Sequence, residues 1–315
     1  MEIVFMGTPA FAVPSLEKLC EAELTEVVGV ITQPDRKRGR GQNLQAPPVK
    51  KVALDYDIEV YQPQKISTQE GINKLKEWNP DLIVVVAYGQ ILSKKVLELP
   101  ELGCINVHAS LLPKYRGAAP LHHVLINGEE VTGITTMQMD EGMDTGDKIL
   151  QEEVEIIPQD TVGSLHDRLS TLGAKLLLET LNRIEAGTAP RISQDDEEAT
   201  YAPKVTKDDG EIDWQKSAQD IWNMIRGMNP WPGAYTYKDG EILKLWDSEI
   251  YQDEKDSDFS PGSVVELKEK EGIVIQTGTG QLLITQLQPA NKSRMDAADY
   301  LLGYDLEIGT KLGAK

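Results

Sequence analysis

The residues with the clearest chemical potential lie in one short apolar segment, Cys104–His108. Side chains alternate between the two faces of a strand, so Asn106 and His108 share one face while Ile105 and Val107 share the other. Burying an amide beside an imidazole is costly unless both find partners. The pair is therefore either satisfied locally at the end of a strand or part of a reactive site, and this segment alone does not decide.

A second chemically rich segment is the loop Met139–Asp147, which holds four acids and two glycines. Much of this composition is typical of turns. A carboxylate here, such as that of Asp144, could approach His108 and fix its tautomer. Metal binding is the competing interpretation. The chain has four histidines, none of them in a His-x-x-x-His spacing near these acids, so a zinc site is not expected.

The first strand-to-helix turn, Met6-Gly7-Thr8-Pro9, lies where a dinucleotide-binding fold carries its glycine-rich fingerprint. Only one glycine is present, which disfavours a pyrophosphate site. Pro9 is typical of the first residue of a helix, with Thr8 as its N-cap.

The elements that must position these residues alternate between strand and helix patterns in the first half of the chain. Strands are predicted at Glu2–Met6, Glu26–Ile31, Asp81–Ala87, Gly103–His108, Gly133–Met139 and Lys148–Ile157. Helices are predicted at Ala10–Cys20, Val49–Leu54, Thr68–Trp78 and from about Val162 to Ala186. This order predicts an α/β fold with a doubly wound, mostly parallel sheet. Ligands bind beyond the carboxyl ends of strands in such sheets, where both polar segments fall.

The second half of the chain has a different pattern. A helix (Ser217–Met228) is followed by short strand patterns, and Asp239-Gly240 is a strong hairpin signal. We therefore predict a small, mostly antiparallel sheet or β-barrel. The predicted domains are residues 1–188 and residues 209–315, joined by a linker over 189–208. The linker contains prolines and an acidic run, and Gly187 and Gly210 lie on either side of it.

Composition limits the classes of protein and partner. The formal net charge of −19 argues against nonspecific coating of nucleic acid, although the segment Arg36-Lys37-Arg38-Gly39-Arg40 is a local basic exception. Two separated cysteines, Cys20 and Cys104, cannot form a disulfide framework, which favours a cytoplasmic location. No secretory signal or membrane span is predicted.

Three segments together resemble the folate-dependent formyltransferase family. They are Met6-Gly7-Thr8-Pro9-x-Phe11-Ala12, Asn106-x-His108-x-Ser110-Leu111-Leu112-Pro113-x-Tyr115-Arg116-Gly117 and Asp140-x-Gly142-x-Asp144-Thr145-Gly146. The resemblance extends over essentially the whole chain, including the turn at Asn229–Ala234. Over its full length the pattern is close to that of members that formylate methionyl-tRNA, whereas the trio of Asn106, His108 and Asp144 alone indicates only the wider family.

The resemblance implies a Rossmann-like formyltransferase core followed by an OB-like β-barrel that contacts tRNA. It implies transfer of the formyl group of 10-formyltetrahydrofolate, without a metal, to the α-amino group of methionyl-initiator tRNA held by its acceptor stem. The implied catalytic residues are Asn106, His108 and Asp144. The implied folate-binding residues are Ser110, Leu111, Leu112, Pro113, Tyr88 and Gly89. The implied tRNA-binding residues are Arg36, Lys37, Arg38 and Arg40. We expect the protein to be a monomer that does not bind a membrane.

Two alternatives stay open at this point. The same catalytic core could formylate a small amine, such as glycinamide ribonucleotide or an amino sugar, but such an enzyme would not need the basic segment. The chain could instead be a noncatalytic nucleotide- or RNA-binding module, which gives no reason for Asn106, His108 and Asp144 to occur together.

Overall fold

The computed structural model describes residues 1–38, 43–252 and 258–313. The chain divides into two compact units. The first comprises Met1–Pro120, Val131–Glu155 and His166–Ala202. The second comprises Leu121–Glu130, Ile156–Leu165 and Pro203–Lys315. The domain boundaries given above, with a linker over 189–208, stay a prediction.

The strands of the described residues are numbered in chain order. They are β1 (Glu2–Gly7), β2 (Glu26–Ile31), β3 (Arg36–Arg38), β4 (Asn43–Gln45), β5 (Val60–Tyr61), β6 (Leu82–Val86), β7 (Cys104–His108), β8 (Arg116–Gly117), β9 (Val131–Gln138), β10 (Lys148–Glu155), β11 (Tyr201–Ala202), β12 (Ala234–Lys238), β13 (Glu241–Gln252), β14 (Val264–Lys268), β15 (Gly272–Gln276), β16 (Gln281–Pro289) and β17 (Met295–Asp296).

The α-helices are numbered in the same way. They are α1 (Val13–Glu21), α2 (Pro48–Asp55), α3 (Gln69–Trp78), α4 (Lys94–Leu97), α5 (Pro120–Ile126), α6 (Val162–Glu185), α7 (Ala218–Met228) and α8 (Ala297–Gly303). Short 3-10 helices lie at Ala10–Ala12, Asp196–Glu198 and Asp208–Gly210. Among the described residues, no helix is both long and apolar enough to span a bilayer.

The first unit is built on one sheet, whose strand order in the described residues is β10-β9-β7-β6-β1-β2-β5. The strands from β7 to β5 pair in parallel, whereas β9 is antiparallel to both β7 and β10. Every residue of β6 is buried, as expected for a parallel strand covered on both faces. The predicted doubly wound, mostly parallel sheet with flanking helices is confirmed.

The predicted helix start at Thr8 and Pro9 is wrong. A 3-10 turn comes first, without a side-chain cap, and α1 begins at Val13 with a proline in its first turn. The Thr8 hydroxyl makes tertiary contacts instead. It donates to the Tyr88 carbonyl (3.0 Å) and accepts from the Gln33 backbone N–H (3.2 Å). Thr8 therefore ties together loops at the carboxyl ends of β1, β2 and β6.

The second unit contains an antiparallel sheet, ordered β12-β13-β16-β15-β14, with β17 paired to β16. Its end strands β12 and β14 do not pair with each other in the described residues, so the sheet is open where a barrel was expected. The predicted hairpin is confirmed, since Asp239 and Gly240 both have positive φ values (53° and 78°). Strand β13 runs past the predicted end at Trp246, because bulges around Asp247 let it stay paired with β16.

Candidate active site

Strand β7 presents Asn106 and His108 on the same face of the sheet, as the alternation predicts. On the other face, Gly173 of α6 approaches the Val107 side chain so closely that an added Cβ would lie 3.0 Å from it. The helix therefore covers one face of β7 and leaves the polar face to the active-site loops. Asn106 and His108 are 9% and 6% exposed, so both need partners inside the protein.

Asp144 provides the common partner for these two side chains. One carboxylate oxygen, Oδ1, accepts a hydrogen bond from Asn106 Nδ2 (3.4 Å). The other, Oδ2, lies 3.6 Å from His108 Nδ1 and accepts a 2.8 Å hydrogen bond from the Gly117 backbone N–H. The structure thus brings together the three residues expected to be catalytic.

The second ring nitrogen of His108 fixes the tautomer. Nε2 lies 3.0 Å from the Tyr115 carbonyl oxygen, which can only accept, so Nε2 carries a hydrogen. Nδ1 then faces a carboxylate that also only accepts. A hydrogen on Nδ1 would therefore find an acceptor in the Asp144 carboxylate. His108 is therefore placed to hold a proton on Nδ1 next to Asn106 and Asp144.

The structure also separates Asp144 from its acidic neighbours in the loop. Asp140 Oδ1 accepts hydrogen bonds from the Thr145 hydroxyl (2.7 Å) and the Gly142 N–H (3.1 Å), so Asp140 shapes the loop. Asp144 has a φ of 55°, in the left-handed region that is rare for a residue with a side chain. This conformation aims its carboxylate at β7.

The segment Ser110–Pro113 forms a rigid turn after β7. The Ser110 hydroxyl donates to the Lys114 carbonyl (2.6 Å), and the Leu112 N–H donates to Thr135 Oγ1 (3.1 Å). Ser110, Leu112 and Pro113 are buried, whereas Leu111 is half-buried and packs over Gly133 of β9. The side chain in this segment with the most surface left for a ligand is therefore that of Leu111.

Tyr88 and Gly89, expected to contact folate, follow strand β6. The Tyr88 side chain is 2% exposed and belongs to the apolar core, and its burial raises the pKa of its hydroxyl. Gly89 is exposed, with a φ of 86° and open space where a Cβ would stand. Strands β6 and β7 are parallel neighbours, so the Gly89 backbone, rather than the Tyr88 ring, lies at the edge of the sheet near His108.

The basic segment begins in strand β3, which pairs with β4. Arg36 and Lys37 are exposed. Arg40 lies outside the described residues, and of Arg38 only the backbone belongs to them. At the base of the segment, Lys50 donates to Asp35 (2.9 Å). The hydrogen bonds from Gln62 and Lys50 lower the pKa of Asp35. The Asp35 carboxylate therefore stays charged and balances the charge of Lys50.

The remaining histidines, His122, His123 and His166, have partners outside the trio. His122 lies 3.2 Å from the Trp231 carbonyl, His123 lies 3.0 Å from the Pro203 carbonyl, and His166 pairs with Asp167. Burial lowers the pKa of His122. Within the residues that the structure describes, no group of three or more His, Cys, Asp or Glu could hold a metal ion.

Two side chains that sequence reasoning passed over are closely tied to the site. Gln194, in the segment predicted as a linker, donates to the main-chain carbonyls of Asp144 (2.8 Å) and Gly146 (2.7 Å). Arg116, 2% exposed, donates to Gln194 Oε1 and pairs with Asp196. Arg116 appeared in the family motif without a role, and nothing in the composition around Gln194 distinguishes it.

Comparison with known proteins places this geometry in a family. Residues 1–181 match the formyl transferase domain, and residues 204–305 match the formyl transferase C-terminal domain. The chain belongs to the formyl transferase family. It is therefore a formyl-transferring enzyme, and its polar trio lies inside the domain that defines the family.

Full-length relatives in the formyl transferase family are about half identical to this chain. The methionyl-tRNA formyltransferase of Halothermothrix orenii is 49% identical over 99% of this chain and 100% of its own length. That of Desulforamulus reducens is 52% identical over 99% of this chain and 98% of its own. The fold also matches a crystal structure of an N-formyltransferase from Helicobacter canadensis in complex with folinic acid and dTDP-3-aminofucose. That match has a TM-score of 0.64 and 21% identity over 91% of this chain and 98% of the other.

Proposed function

We propose that this enzyme transfers the formyl group of 10-formyltetrahydrofolate to the α-amino group of methionyl-initiator tRNA. The observation that carries the proposal is the full-length similarity, near 50% identity through both domains, to relatives named for that reaction. Similarity confined to the first domain would support only formyl transfer to some amine. The sugar-modifying neighbour is 21% identical, which supports a shared fold and not a shared acceptor.

The chemistry assigned to the trio follows from its geometry. The attacking amine must be neutral, and an α-amino group has a pKa of about 7.7–8.0, so a useful fraction is neutral near pH 7. Attack places negative charge on the formyl oxygen. Asn106 Nδ2 and the Nδ1 hydrogen of His108 are the nearby donors that would stabilise this oxyanion. Both donors are held by Asp144 before any substrate arrives, so little reorganisation is required.

Proton transfer completes the reaction. The amine nitrogen forms a bond to the formyl carbon, the bond from that carbon to N10 of the folate breaks, and the amine loses one proton while N10 gains one. His108 would deliver the proton to N10 from Nδ1, because Nε2 is engaged by the Tyr115 carbonyl. Asp144 would stabilise the charged imidazolium and hold a water that returns the amine proton to His108.

The folate donor is proposed to bind at the carboxyl ends of β6 and β7. The exposed Gly89 backbone and the half-buried Leu111 side chain supply accessible surface there. Ser110, Leu112, Pro113 and Tyr88 are proposed to act through the shape of the two turns, since their side chains are buried. Open α/β sheets commonly bind ligands at this edge.

The acceptor stem of the tRNA is proposed to contact the basic segment. Arg36 and Lys37 are exposed and their charges are available, in contrast to Lys50, which Asp35 neutralises. Arg38 and Arg40 are included in the proposal on the strength of the family resemblance alone. A few exposed cations can hold phosphates although the net charge is −19, because phosphate attraction is short-ranged at physiological salt. A monomer acting in the cytoplasm stays part of the proposal.

A direct assay tests this function. The purified enzyme is incubated with methionyl-initiator tRNA, with and without 10-formyltetrahydrofolate, and the amino acid released from the tRNA is identified by mass spectrometry. Formylmethionine that depends on the folate supports the proposal. Unmodified methionine under conditions in which the enzyme binds the folate would exclude it.

A further inference from the structure

The segment 194–202, here called the strap, is bound along its length to the residues around Arg116. Strand β11 of the strap pairs in parallel with β8. Thr200 accepts from the Tyr115 N–H at its hydroxyl (2.9 Å) and from the Arg116 N–H at its carbonyl (2.9 Å). Asp196 forms an ion pair with Arg116, in which Oδ1 lies 2.8 Å from Nη2. The strap therefore sets the backbone position of the residues on either side of Arg116.

Those flanking residues hold the two proton-handling side chains of the site. The Tyr115 carbonyl engages His108 Nε2, and the Gly117 N–H binds Asp144 Oδ2. Tyr115 has a φ of 60°, in the left-handed region, and such a conformation persists only where surrounding contacts impose it. The placement of His108 and Asp144 thus depends on a backbone that the strap secures.

Gln194 connects the strap to Asp144 itself. Its amide nitrogen has two hydrogens, and it donates one to the Asp144 carbonyl and the other to the Gly146 carbonyl. Its amide oxygen accepts from Arg116 Nε (3.1 Å) and Nη2 (2.9 Å). Carbonyls only accept and guanidinium only donates, so the partners on both sides fix the orientation of this amide.

We propose that Gln194 is a positioning residue for formyl transfer. It links the main chain of Asp144, which has a left-handed backbone conformation, to the buried Arg116, and so keeps the Asp144 carboxylate directed at His108. The inference rests on the proposed function for the reaction that it assists. Gln194 touches no reacting atom in this proposal; it acts through Asp144 and the Gly117 N–H. A carboxylate in its place could still accept from Arg116 but could not donate to the two carbonyls.

Two substitutions separate these contacts. Gln194→Glu keeps an acceptor for Arg116 and removes the hydrogen bonds donated to the Asp144 and Gly146 carbonyls. Gln194→Met removes these hydrogen bonds and also those accepted from Arg116. Ser193→Ala is the matched control, because Ser193 is the exposed neighbour in the chain. We expect both Gln194 variants to lose about tenfold or more in kcat with KM values for folate and tRNA within about twofold of wild type, since small displacements of catalytic groups reduce turnover strongly.

A purely structural role predicts a different result. If Gln194 serves only to accept hydrogen bonds from Arg116, Gln194→Glu should have the kcat and the thermal stability of wild type, while Gln194→Met should lose thermal stability. A double variant gives a further distinction. In an Asp144→Ala background, Gln194→Glu should cause no additional loss of kcat, because effects that act through one residue are not additive. Full additivity, or a Gln194→Glu enzyme with wild-type kcat, would overturn the inference.

One measurement is independent of the reaction. Hydrogen exchange at the Gly117 amide reports its bond to Asp144 Oδ2 directly. We expect exchange there to be at least about tenfold faster in Gln194→Glu than in wild type or Ser193→Ala, because local opening sets amide protection. Unchanged protection would refute the positioning role even if wild type formylated a different amine. Faster exchange in an enzyme that formylates no methionyl-tRNA would instead refute only the proposed function.

Discussion

Asp144 is the residue that joins the polar side chains of the site to one another. Its two carboxylate oxygens contact Asn106 and His108, and the carboxylate also accepts a 2.8 Å hydrogen bond from the Gly117 N–H. Removing Asp144 would leave Asn106 and His108 buried without that partner. The trio therefore acts as one unit, and we expect the effects of replacing its members on turnover not to add.

Replacement of His108 tests the proton-handling role. We expect His108→Ala to lower kcat by about a hundredfold or more, because loss of general acid–base help typically costs that much. Single-turnover formylation measures the chemical step directly. His166→Ala is the control, since His166 is a histidine paired with an acid in the same unit but lies outside the trio. Near-normal turnover of His108→Ala would remove His108 from the mechanism.

The two cysteines give a pH-dependent prediction. Burial and nearby acids raise the pKa of Cys20 to about 11, and burial raises that of Cys104 to about 12. Alkylation needs the thiolate, and at pH 8 the thiolate fraction of Cys20 is about a hundredfold or more below that of an ordinary thiol with a pKa near 8.5, and that of Cys104 about a thousandfold or more below it. We therefore expect both to react much more slowly than an ordinary thiol, and Cys104 more slowly than Cys20. Iodoacetamide labelling followed by mass spectrometry measures the rates, with the protein unfolded in urea as the control. Rapid labelling of Cys104 in the folded enzyme would contradict its burial.

Sequence reasoning reached the trio only in part. Alternation along the strand placed Asn106 and His108 together, because a strand repeats every two residues. It could not choose among the four acids of the loop, since that choice depends on Asp140 being used by Thr145 and on the left-handed backbone of Asp144. The family resemblance made the assignment, and the structure supplies a physical reason for it.

At the scale of elements, β6 anchors the sheet beside the site. Ile83 is fully buried in an apolar cluster with Val4 and Leu75, whereas Ile91 in the loop after β6 is 85% exposed. We expect Ile83→Ala to reduce the free energy of unfolding by about 2–5 kcal/mol. Ile91→Ala should change it by less than about 0.5 kcal/mol. Urea unfolding of both variants checks this contrast, and equal effects would show that β6 is not a core strand.

Strand β3 carries the exposed cations proposed to bind RNA. The double variant Arg36→Ala/Lys37→Ala should raise KM for methionyl-tRNA several-fold and leave KM for the folate unchanged. Each lost phosphate contact should also reduce the salt dependence of tRNA binding by about 0.9 in the slope of log affinity against log salt. Lys76→Ala/Lys175→Ala, at exposed lysines on α3 and α6, removes the same charge elsewhere. Equal effects of the two double variants would indicate nonspecific electrostatics.

The strand and helix pattern was the most predictable part of the fold. The continuous apolar run of β6 and the long periodic pattern of α6 were both located within a few residues. The extension of β13 was not, because bulges around Asp247 have no marker in the sequence. The contacts of the strap were not predicted for a similar reason: its acid-rich composition is typical of loops, and the partners of Gln194 and Thr200 lie about 50 or more residues away in the chain.

For the whole molecule, the distribution of charge constrains how the proposed tRNA acceptor could be held. The net charge of −19 repels nucleic acid at long range, so binding has to rely on a few local contacts. Weak overall attraction also favours release of the formylated product. We therefore regard the trio as setting the reaction and the basic segment as selecting the acceptor.

A competition between acceptors tests this account most directly. The wild-type enzyme is given 10-formyltetrahydrofolate with equal concentrations of methionyl-initiator tRNA, an amino-sugar nucleotide and glycinamide ribonucleotide in one reaction, and the formylated products are quantified by mass spectrometry. We expect formylmethionyl-tRNA to be the dominant product. Preferential formylation of the amino sugar or of glycinamide ribonucleotide, with the tRNA left unmodified, would contradict it.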